Sequence, residues 1–205
     1  MASAVPVFCI AGPSAAGKTT LVAALEQWLK RRGVRALRLC CDDYYRQGWV
    51  PDPQYGYDTV AAIETDALRQ ELDAARTRTL SDLRRYDMAR RQVSRRPAPQ
   101  TYDVILVEGA FGPQALLEHN LLNGLIYLDA ALLRRLLRRL RRDVLLRRRS
   151  AWSVLRQMLV EMIPAERVFI IPLREAADWV VQDSSRACNT LGEWIVQSLR
   201  SDSNA

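Results

Sequence analysis

A glycine-rich stretch near the amino terminus has the residue pattern of a phosphate-binding loop. The residues from Gly12 to Thr19 fit the pattern G-x-x-x-x-G-K-[ST]. Glycines let the backbone curl so that successive N–H groups point inward at an anion. The lysine that closes such a motif reaches the outer phosphates, and the hydroxyl beside it holds Mg²⁺. The pattern therefore predicts a triphosphate site formed by Gly12, Ser14, Ala15, Ala16, Gly17, Lys18, Thr19 and Thr20.

Carboxylates follow two other apolar segments of the chain. Asp42 and Asp43 come directly after Ala36–Cys41, and Glu108 comes directly after Val104–Val107. In parallel sheets, ligands bind outside the carboxyl ends of the strands. We expect Glu108 to bind Mg²⁺, directly or through water, as the Walker-B acid at the end of a strand does. The alternative interpretation is that these carboxylates are solvated charges at turns with no chemical role.

The elements that must position these residues read as one α/β domain over residues 1–205. The apolar runs predict a P-loop NTPase fold with a five-stranded parallel sheet and helices on both faces. The expected strands are Val5–Ile10, Ala36–Cys41, Val104–Val107, Leu125–Leu128 and Trp179–Val181, and the expected helices cover 18–32, 59–76, 130–149 and 190–199.

Other segments are predicted from periodicity alone. In the 130–149 helix we expect an inward stripe of Leu132, Leu133, Leu136, Leu137, Leu140 and Val144, with the arginines on the opposite face. Trp152, Leu155, Met158, Leu159 and Met162 predict a second amphipathic helix after Ser150. Tyr86–Met88 reads as a short helical or irregular piece, 91–100 as a surface excursion, and 201–205 as a frayed tail.

Composition limits the functional classes. The net charge of +7 is concentrated between Arg134 and Arg149, which carry nine arginines and one acid, Asp143. A local anion site therefore fits better than a nucleic-acid surface. No apolar run approaches the roughly 20 residues of a membrane span, and the amino terminus has no basic segment typical of a signal peptide, so we expect a cytoplasmic protein. The four cysteines form no C-x-x-C pair, and the single histidine, His119, reads as a surface residue.

Several ordered segments together resemble the uridine kinase family, with phosphoribulokinases and pantothenate kinases as more distant relatives. The resemblance runs from about residue 5 to 200. Besides the phosphate loop, three segments resemble family patterns: Asp42–Arg46 is similar to D-x-F-Y-R, Tyr86-Asp87-Met88 to Y-D-F, and Ala177–Val181 to A-D-x-I-I. The resemblance also rests on Tyr57-Asp58, Glu108-Gly109 and Arg139-x-x-Arg142-Asp143-x-x-x-Arg147-x-Arg149.

This resemblance implies an ATP- and Mg²⁺-dependent kinase that phosphorylates a hydroxyl of a nucleoside-like small molecule. It implies that Asp42 is the general base, with Lys18 and Arg142 as further catalytic residues. An arginine-rich lid over about residues 139–157 would bring Arg139 and Arg142 to the phosphates. The implied acceptor site consists of Asp42, Tyr45, Tyr57, Asp58, Tyr86, Arg91, Arg139, Arg149 and Gln157.

The sequence departs from the family pattern at three places. Arg148 stands where the family has a glycine, Arg91 stands where it has a base-recognising histidine, and Thr59–Ala62 replaces an H-P-x-A run. These changes affect base recognition more than phosphate transfer. Two alternatives therefore stay open: a kinase for a sugar phosphate or a pantothenate-like acceptor, and a nucleotide-binding regulatory module without efficient transfer. A homo-oligomer is compatible with the sequence.

Overall fold

A computed structural model describes residues 4–145 and 150–203, without the side chains of Arg142, Ser185, Asp202 and Ser203. Its strands are β1 (Val7–Ala11), β2 (Ala36–Cys40), β3 (Asp82–Asp87), β4 (Gln92–Pro97), β5 (Val104–Gly109), β6 (Gly124–Leu128) and β7 (Trp179–Val181). Five of them form a parallel sheet in the order β2-β5-β1-β6-β7, and β3 and β4 form a separate antiparallel hairpin. The predicted five-stranded parallel sheet is confirmed.

Helices cover both faces of this sheet. They are α1 (Lys18–Lys30), α2 (Thr65–Arg76), α3 (Pro113–Glu118), α4 (Leu132–Leu145), α5 (Ala151–Gln157), α6 (Ile163–Ala165), α7 (Pro172–Glu175) and α8 (Ser184–Ser203). On one face, Leu25 of α1 and Ile195 of α8 belong to a buried cluster with Ile10 of β1. On the other face, Leu72 of α2 lies in a second buried cluster with Val107 of β5. Within the described residues, no helix is both long enough and apolar enough to cross a membrane.

The segment from 82 to 97 corrects the expectation of a helical or irregular piece at Tyr86–Met88, whereas the expected surface position of 91–100 is confirmed, since most of these residues are exposed. The segment forms the β3–β4 hairpin, in which Tyr86 pairs with Val93. Polar tertiary contacts stabilise it. The backbone amide of Arg84 donates to Glu71 at 2.9 Å, and its guanidinium donates to Glu64 at 2.8 Å. Because these partners lie on another element, apolar alternation within the hairpin gives little sign of the strands.

The leucine stripe predicted to be the core of the 130–149 helix is also wrong. Leu132, Leu133 and Leu137 are exposed, whereas Leu136 and Leu140 are partly buried. The inward line of α4 consists of Arg135, Arg139 and Asp143, which are 6%, 7% and 0% exposed. These residues are four apart and therefore lie on one side of the helix. Acidic residues on other elements neutralise the two buried arginines.

The segment from 151 to 175 is a helix with two π-helical stretches, Met158–Met162 and Glu166–Ile170. Met158 and Met162 are buried as predicted, but Trp152 is 74% exposed and Val154 is buried instead. The wide π-helical turns form i→i+5 hydrogen bonds and advance the chain by more residues per turn than an α-helix. Leu159, in the first π-helical stretch, is exposed because a stripe at the α-helical period drifts off the buried face there, whereas Trp152 lies before that stretch in α5.

Two other helices differ in extent from the sequence prediction. The 59–76 helix divides into a short 3₁₀ turn, Val60–Ala62, and α2, because Ile63 leaves the helix to bridge Tyr45 in an antiparallel pair. The last helix runs from Ser184 to Ser203, so residues 201–203 are helical and only 204–205 of the predicted frayed tail lie outside the described residues.

Candidate active site

A cavity of about 420 Å³ lies at the carboxyl ends of β1, β2 and β5. The loop after β1, the turn after β2 and the last residues of β5 all contribute to its wall. Predicted site residues in the wall are Ser14, Ala15, Gly17, Lys18, Thr19, Thr20, Asp42, Tyr45, Asp58 and Glu108. Residues from the phosphate loop and from the predicted acceptor side therefore line one cavity.

The phosphate loop takes a shape that requires glycine at its first position. Gly12 has a φ of 143°, and a Cβ there would lie 2.6 Å from the carbonyl oxygen of Leu128. Gly17, with a φ of 105°, leads into α1, so the positive end of that helix faces the cavity. The Lys18 ammonium donates to the carbonyl oxygens of Gly12 and Pro13 at 2.9 and 3.0 Å. These two hydrogen bonds hold the Lys18 side chain against the phosphate loop.

The surroundings of Lys18 act on its pKa in opposite directions. Burial lowers the pKa, while the carboxylates of Asp42 and Glu108 raise it, and burial has the larger effect. An anionic phosphate placed beside the ammonium would favour its charged form. The pKa of Lys18 therefore depends on whether an anion occupies the cavity.

Glu108, at the end of β5, is the most buried carboxylate in the wall of the cavity. Its side chain is 3% exposed. The hydroxyl of Thr19 donates to Glu108 Oε2 at 2.8 Å, and Arg38 Nη2 donates to Oε1. The structure therefore brings together the two predicted metal residues, and it adds an arginine that the sequence analysis did not single out.

The two adjacent aspartates after β2 have different surroundings. Asp42 is exposed and lines the cavity. Asp43 accepts from Arg85 Nη1 at 2.9 Å and from the Tyr86 amide at 3.0 Å, so it attaches the hairpin to the turn. The structure places Asp42 where a reacting group could approach it and gives Asp43 a structural role.

Three tyrosines lie together beside the cavity and are called the tyrosine wall: Tyr45 lines the cavity, whereas Tyr57 and Tyr86 contact Tyr45 and do not line it. The rings of Tyr45 and Tyr86 lie 5.9 Å apart, and the Tyr45 hydroxyl donates to the carbonyl oxygen of Tyr57 at 3.3 Å. The exposed Arg91 places its guanidinium carbon 5.0 Å from the centre of the Tyr57 ring. Burial raises the pKa of Tyr45 well above its usual value, and Asp42 and Asp58 raise it further, so this phenol stays neutral.

Asp58 connects the acceptor side of the cavity to α4. It is 8% exposed and lies 3.5 Å from Arg139 Nη2, while Arg139 Nε lies 3.7 Å from Asp143. Burial raises the Asp58 pKa, and Arg139 opposes that effect. Three buried atoms here have no hydrogen-bond partner among the described residues: the Tyr57 hydroxyl, Asp58 Oδ2 and Arg139 Nε. A hydroxylated ligand is chemically suited to such a set.

Several cavity residues were missed by the sequence analysis. Arg138 lines the cavity, with Nη1 3.9 Å from the position that a Cβ on Gly17 would occupy. In a run of arginines, residue type gives no sign of which one faces the loop. Arg38, which contacts Glu108 without lining the cavity, could have been noticed, since it interrupts the apolar strand β2 between Leu37 and Leu39. The remaining additions are Cys40, Gly109, Ala110, Phe111 and Ser184.

The other predicted residues lie elsewhere or are not described. Gln157 is half-buried at the end of α5 and does not line the cavity. Arg149 lies outside the described residues, and Arg142 is described only as part of the α4 backbone. The arginine-rich lid of residues 139–157 is therefore only partly described.

The donor atoms at Thr19 and Glu108 suit Mg²⁺. The ion prefers oxygen ligands and usually takes one or two from the protein, with water and substrate phosphates supplying the rest. Thr19 offers a hydroxyl and Glu108 a carboxylate beside the phosphate loop. Within the described residues, no group of three or more His, Cys, Asp or Glu could form a self-contained metal site. The arrangement fits a metal that arrives with a nucleotide.

Comparisons with known proteins show which family and which fold this chain resembles. The model of the phosphoribulokinase / uridine kinase family matches residues 7–188. A uridine kinase from Staphylococcus epidermidis is 31% identical over 198 residues, covering 93% of this chain and 94% of that protein. Among solved structures, a possible uridine kinase from Bacillus stearothermophilus superposes with a TM-score of 0.63 at 19% identity, covering 89% of this chain and 91% of that one. The phosphoribulokinase from Rhodobacter spheroides gives 0.64 at 16% identity, with coverages of 88% and 72%.

Proposed function

Because the chain belongs to the phosphoribulokinase / uridine kinase family, we propose that it transfers the γ-phosphoryl group of ATP to a hydroxyl of a nucleoside-like small molecule. The family makes it a P-loop kinase, a phosphotransferase with an alcohol group as acceptor. The observation that carries the finer proposal is that Asp42 and the phosphate-loop residues Lys18 and Thr19 line one cavity. A donor phosphate and an acceptor hydroxyl could meet there.

On the donor side, the loop amides and Lys18 would bind the β- and γ-phosphates. Phosphoryl transfer requires mainly positioning and charge neutralisation, because the transferring group spreads its charge over its equatorial oxygens. Arg138, which lines the cavity, could add a forked guanidinium to these oxygens. Arg139 and Arg142 are proposed for the same task after the lid closes. Thr19 and Glu108 would hold Mg²⁺, which would neutralise phosphate charge when bound.

On the acceptor side, Asp42 would accept the proton of the attacking hydroxyl. It is exposed in the cavity, and it lies beside a tyrosine wall that could cover or stack on a flat base. Asp58 could accept hydrogen bonds from sugar hydroxyls, since its Oδ2 has no such bond within the described residues. Tyr45, Tyr57, Tyr86, Arg91, Arg149 and Gln157 complete the proposed acceptor set.

The lid of residues 139–157 is proposed to exclude water during transfer. An open site would allow water to compete with the acceptor hydroxyl, so closure favours transfer over hydrolysis of ATP. The Arg139–Asp58 ion pair joins α4 to the acceptor side at 3.5 Å. Binding of an acceptor at Asp58 would therefore change the contact between Asp58 and Arg139 of α4.

Acceptor-dependent ADP release is the direct test of this function. The purified chain is incubated with ATP, Mg²⁺ and one acceptor at a time from a panel of nucleosides, sugar phosphates and pantothenate. We expect turnover with a nucleoside well above the rate without acceptor. Absence of turnover with every nucleoside would refute the nucleoside proposal, and turnover with a phosphorylated sugar alone would establish the alternative.

The adjacent aspartates provide a matched pair of variants for the base. Asp42→Asn should lower kcat by about 10²–10⁴-fold, the usual contribution of general base catalysis. Asp43→Asn should leave a larger fraction of kcat and mainly loosen the hairpin, because Asp43 binds Arg85 and Tyr86. Rapid-quench measurement of a single turnover separates the chemical step from product release. Near-normal turnover by Asp42→Asn would show that Asp42 is not the base.

One observation favours a non-nucleoside acceptor as the second candidate. Arg91 is exposed at the outer end of the tyrosine wall, and within the described part of the chain no carboxylate lies within ion-pair distance of it. A guanidinium in that position would suit an acceptor that carries a phosphate or carboxylate. The anionic members of the acceptor panel address this candidate in the same assay.

A further inference from the structure

Arg38 places a guanidinium on the carboxylate proposed to serve the metal. Arg38 lies on the edge strand β2, where it is paired with Leu106, and the next register pair on the same face joins Cys40 to Glu108. Because side chains alternate between the two faces of a sheet, Arg38 and Glu108 project to the same side. This placement lets Arg38 Nη2 donate diagonally to Glu108 Oε1.

Both carboxylate oxygens of Glu108 therefore have a donor. Oε1 accepts from Arg38, and Oε2 accepts from the Thr19 hydroxyl at 2.8 Å. A carboxylate that is 3% exposed needs a compensating charge or hydrogen bonds, and the guanidinium supplies the charge. A divalent cation that approached Glu108 would replace one of these donors, and Arg38 is the one that would repel it.

The two partners differ in their freedom to move. The Arg38 side chain is 31% exposed, whereas that of Glu108 is 3% exposed. Leu37 and Leu39, which flank Arg38 on β2, are buried on the opposite face. The arginine thus lies on the face opposite these leucines, and its partial exposure gives it a path from Glu108 toward solvent.

We propose that Arg38 is a positioning residue that competes with Mg²⁺ for Glu108 and thereby sets the metal affinity of the site. The inference rests on the proposed function only through the role of Glu108. The apparent affinity for a ligand falls by the fraction of molecules whose site is competent to bind it. Here the competent molecules are those in which Arg38 has released Oε1.

Direct titration with Mn²⁺ tests this competition without any turnover. Mn²⁺ is followed by electron paramagnetic resonance with a saturating non-hydrolysable ATP analogue and no acceptor present, because the site is expected to take its metal together with a nucleotide. Arg38→Met keeps the length of the side chain and removes its charge, so it should bind Mn²⁺ about tenfold more tightly than the unaltered protein, within the usual range of coupling between two ligands. Arg38→Lys keeps a cation and should lie closer to the unaltered protein.

Arg35→Met is the matched control on the same stretch of chain. Arg35 forms an ion pair with Asp103 at 2.8 Å, away from the cavity, so its loss should leave Mn²⁺ affinity unchanged. A purely structural role for Arg38 would change the unfolding midpoint but not Mn²⁺ affinity. Unchanged or weaker Mn²⁺ binding by Arg38→Met would overturn the proposal.

Two further measurements keep the test decisive. If Arg38→Met does not fold, Arg38→Gln is titrated in its place with the same expected direction. In a Glu108→Gln background, substitution of Arg38 should alter Mn²⁺ affinity by less than about twofold, because the shared partner is gone, and a larger effect would contradict the mechanism. Tighter Mn²⁺ binding by Arg38→Met without acceptor turnover by the unaltered protein would support this inference and refute the kinase proposal. Acceptor turnover without tighter Mn²⁺ binding by Arg38→Met would support the kinase proposal and refute this inference.

Discussion

The adjacent residues Asp42 and Asp43 show how surroundings decide the role of a side chain. Both carboxylates follow the same strand, yet Asp42 is exposed in the cavity and Asp43 holds the β3–β4 hairpin through Arg85 and the Tyr86 amide. Their order in the chain predicts a ligand site at this turn. It does not say which carboxylate lines the cavity and which one holds the hairpin, because that depends on a hairpin that begins about forty residues later.

Asp58 provides a prediction about pH. Burial raises its pKa in the folded protein above the ordinary value of 3.8, so the folded chain holds this proton more tightly than the unfolded chain does. Stability then falls as pH rises from about 4 through the folded pKa, because the unfolded state loses its proton first. We expect the free energy of unfolding of the unaltered protein to fall over this interval relative to that of Asp58→Asn.

Urea unfolding of both proteins between pH 4 and 7.5 measures this difference. Each unit of pKa difference between the folded and unfolded chain corresponds to about 1.4 kcal/mol. Asp66→Asn removes a carboxylate whose side chain is 85% exposed and serves as the control. A difference between the Asp58 curves that is constant or grows in the opposite direction would refute the expected environment of Asp58.

At the scale of elements, α4 explains why hydrophobic periodicity failed. Its leucines repeat as an inward stripe would, but Leu133 and Leu137 are exposed and the inward line is Arg135, Arg139 and Asp143. The acids that make this orientation possible, Asp58 and Glu166, lie on other elements. The residue pattern of one helix does not show which acidic residues of other elements will pack against it. The helix itself was therefore predictable, but the face that it turns toward the core was not.

The Arg135–Glu166 pair gives a prediction about the connection between α4 and the 151–175 segment. Arg135 donates to both carboxylate oxygens at 2.7 and 2.9 Å, and the two side chains are 7% and 8% exposed. Arg135→Met should lower the free energy of unfolding by about 3–5 kcal/mol, because it leaves a buried carboxylate without its partner. Guanidinium chloride unfolding followed by circular dichroism measures the loss.

The double variant separates the ion pair from packing. Arg135→Met with Glu166→Met removes both charges and should regain most of the stability lost by Arg135→Met, since a buried ion pair is often replaceable by apolar groups. Arg35→Met breaks the more exposed pair with Asp103 and should cost much less. If the double variant is as unstable as the sum of its single variants, packing at this position matters more than charge.

At the scale of the whole molecule, the predictable part is the parallel sheet. Its central strands are buried over their whole length, so continuous apolar runs such as β1 and β5 identify them. The phosphate loop was predictable for a related reason, because the Gly12 geometry against Leu128 permits no other residue type. The acceptor side is formed by a turn, a loop and a hairpin, whose arrangement depends on long-range polar contacts.

The same long-range contacts determine what the net charge of +7 means. The arginine-rich segment resembles a surface for nucleic acid when residues are counted, but Arg135 and Arg139 are buried and paired with Glu166 and Asp58. Guanidinium groups that are buried and paired with carboxylates cannot contact the phosphates of a nucleic acid. Counting residues therefore overstates the free positive charge of α4.

We accordingly predict only weak, non-specific binding of this protein to nucleic acid. Fluorescence anisotropy with a labelled single-stranded oligonucleotide at physiological salt should give a Kd no tighter than about 10⁻⁴–10⁻⁶ M. Arg134 and Arg141 are exposed arginines of α4 that do not line the cavity, and changing both to Gln should reduce any residual dependence on salt, because each lost phosphate contact lowers the slope by about 0.7 for a single strand. Nanomolar binding with a steep salt dependence would show that α4 presents its charge to solvent, contrary to the buried pairs that orient this helix.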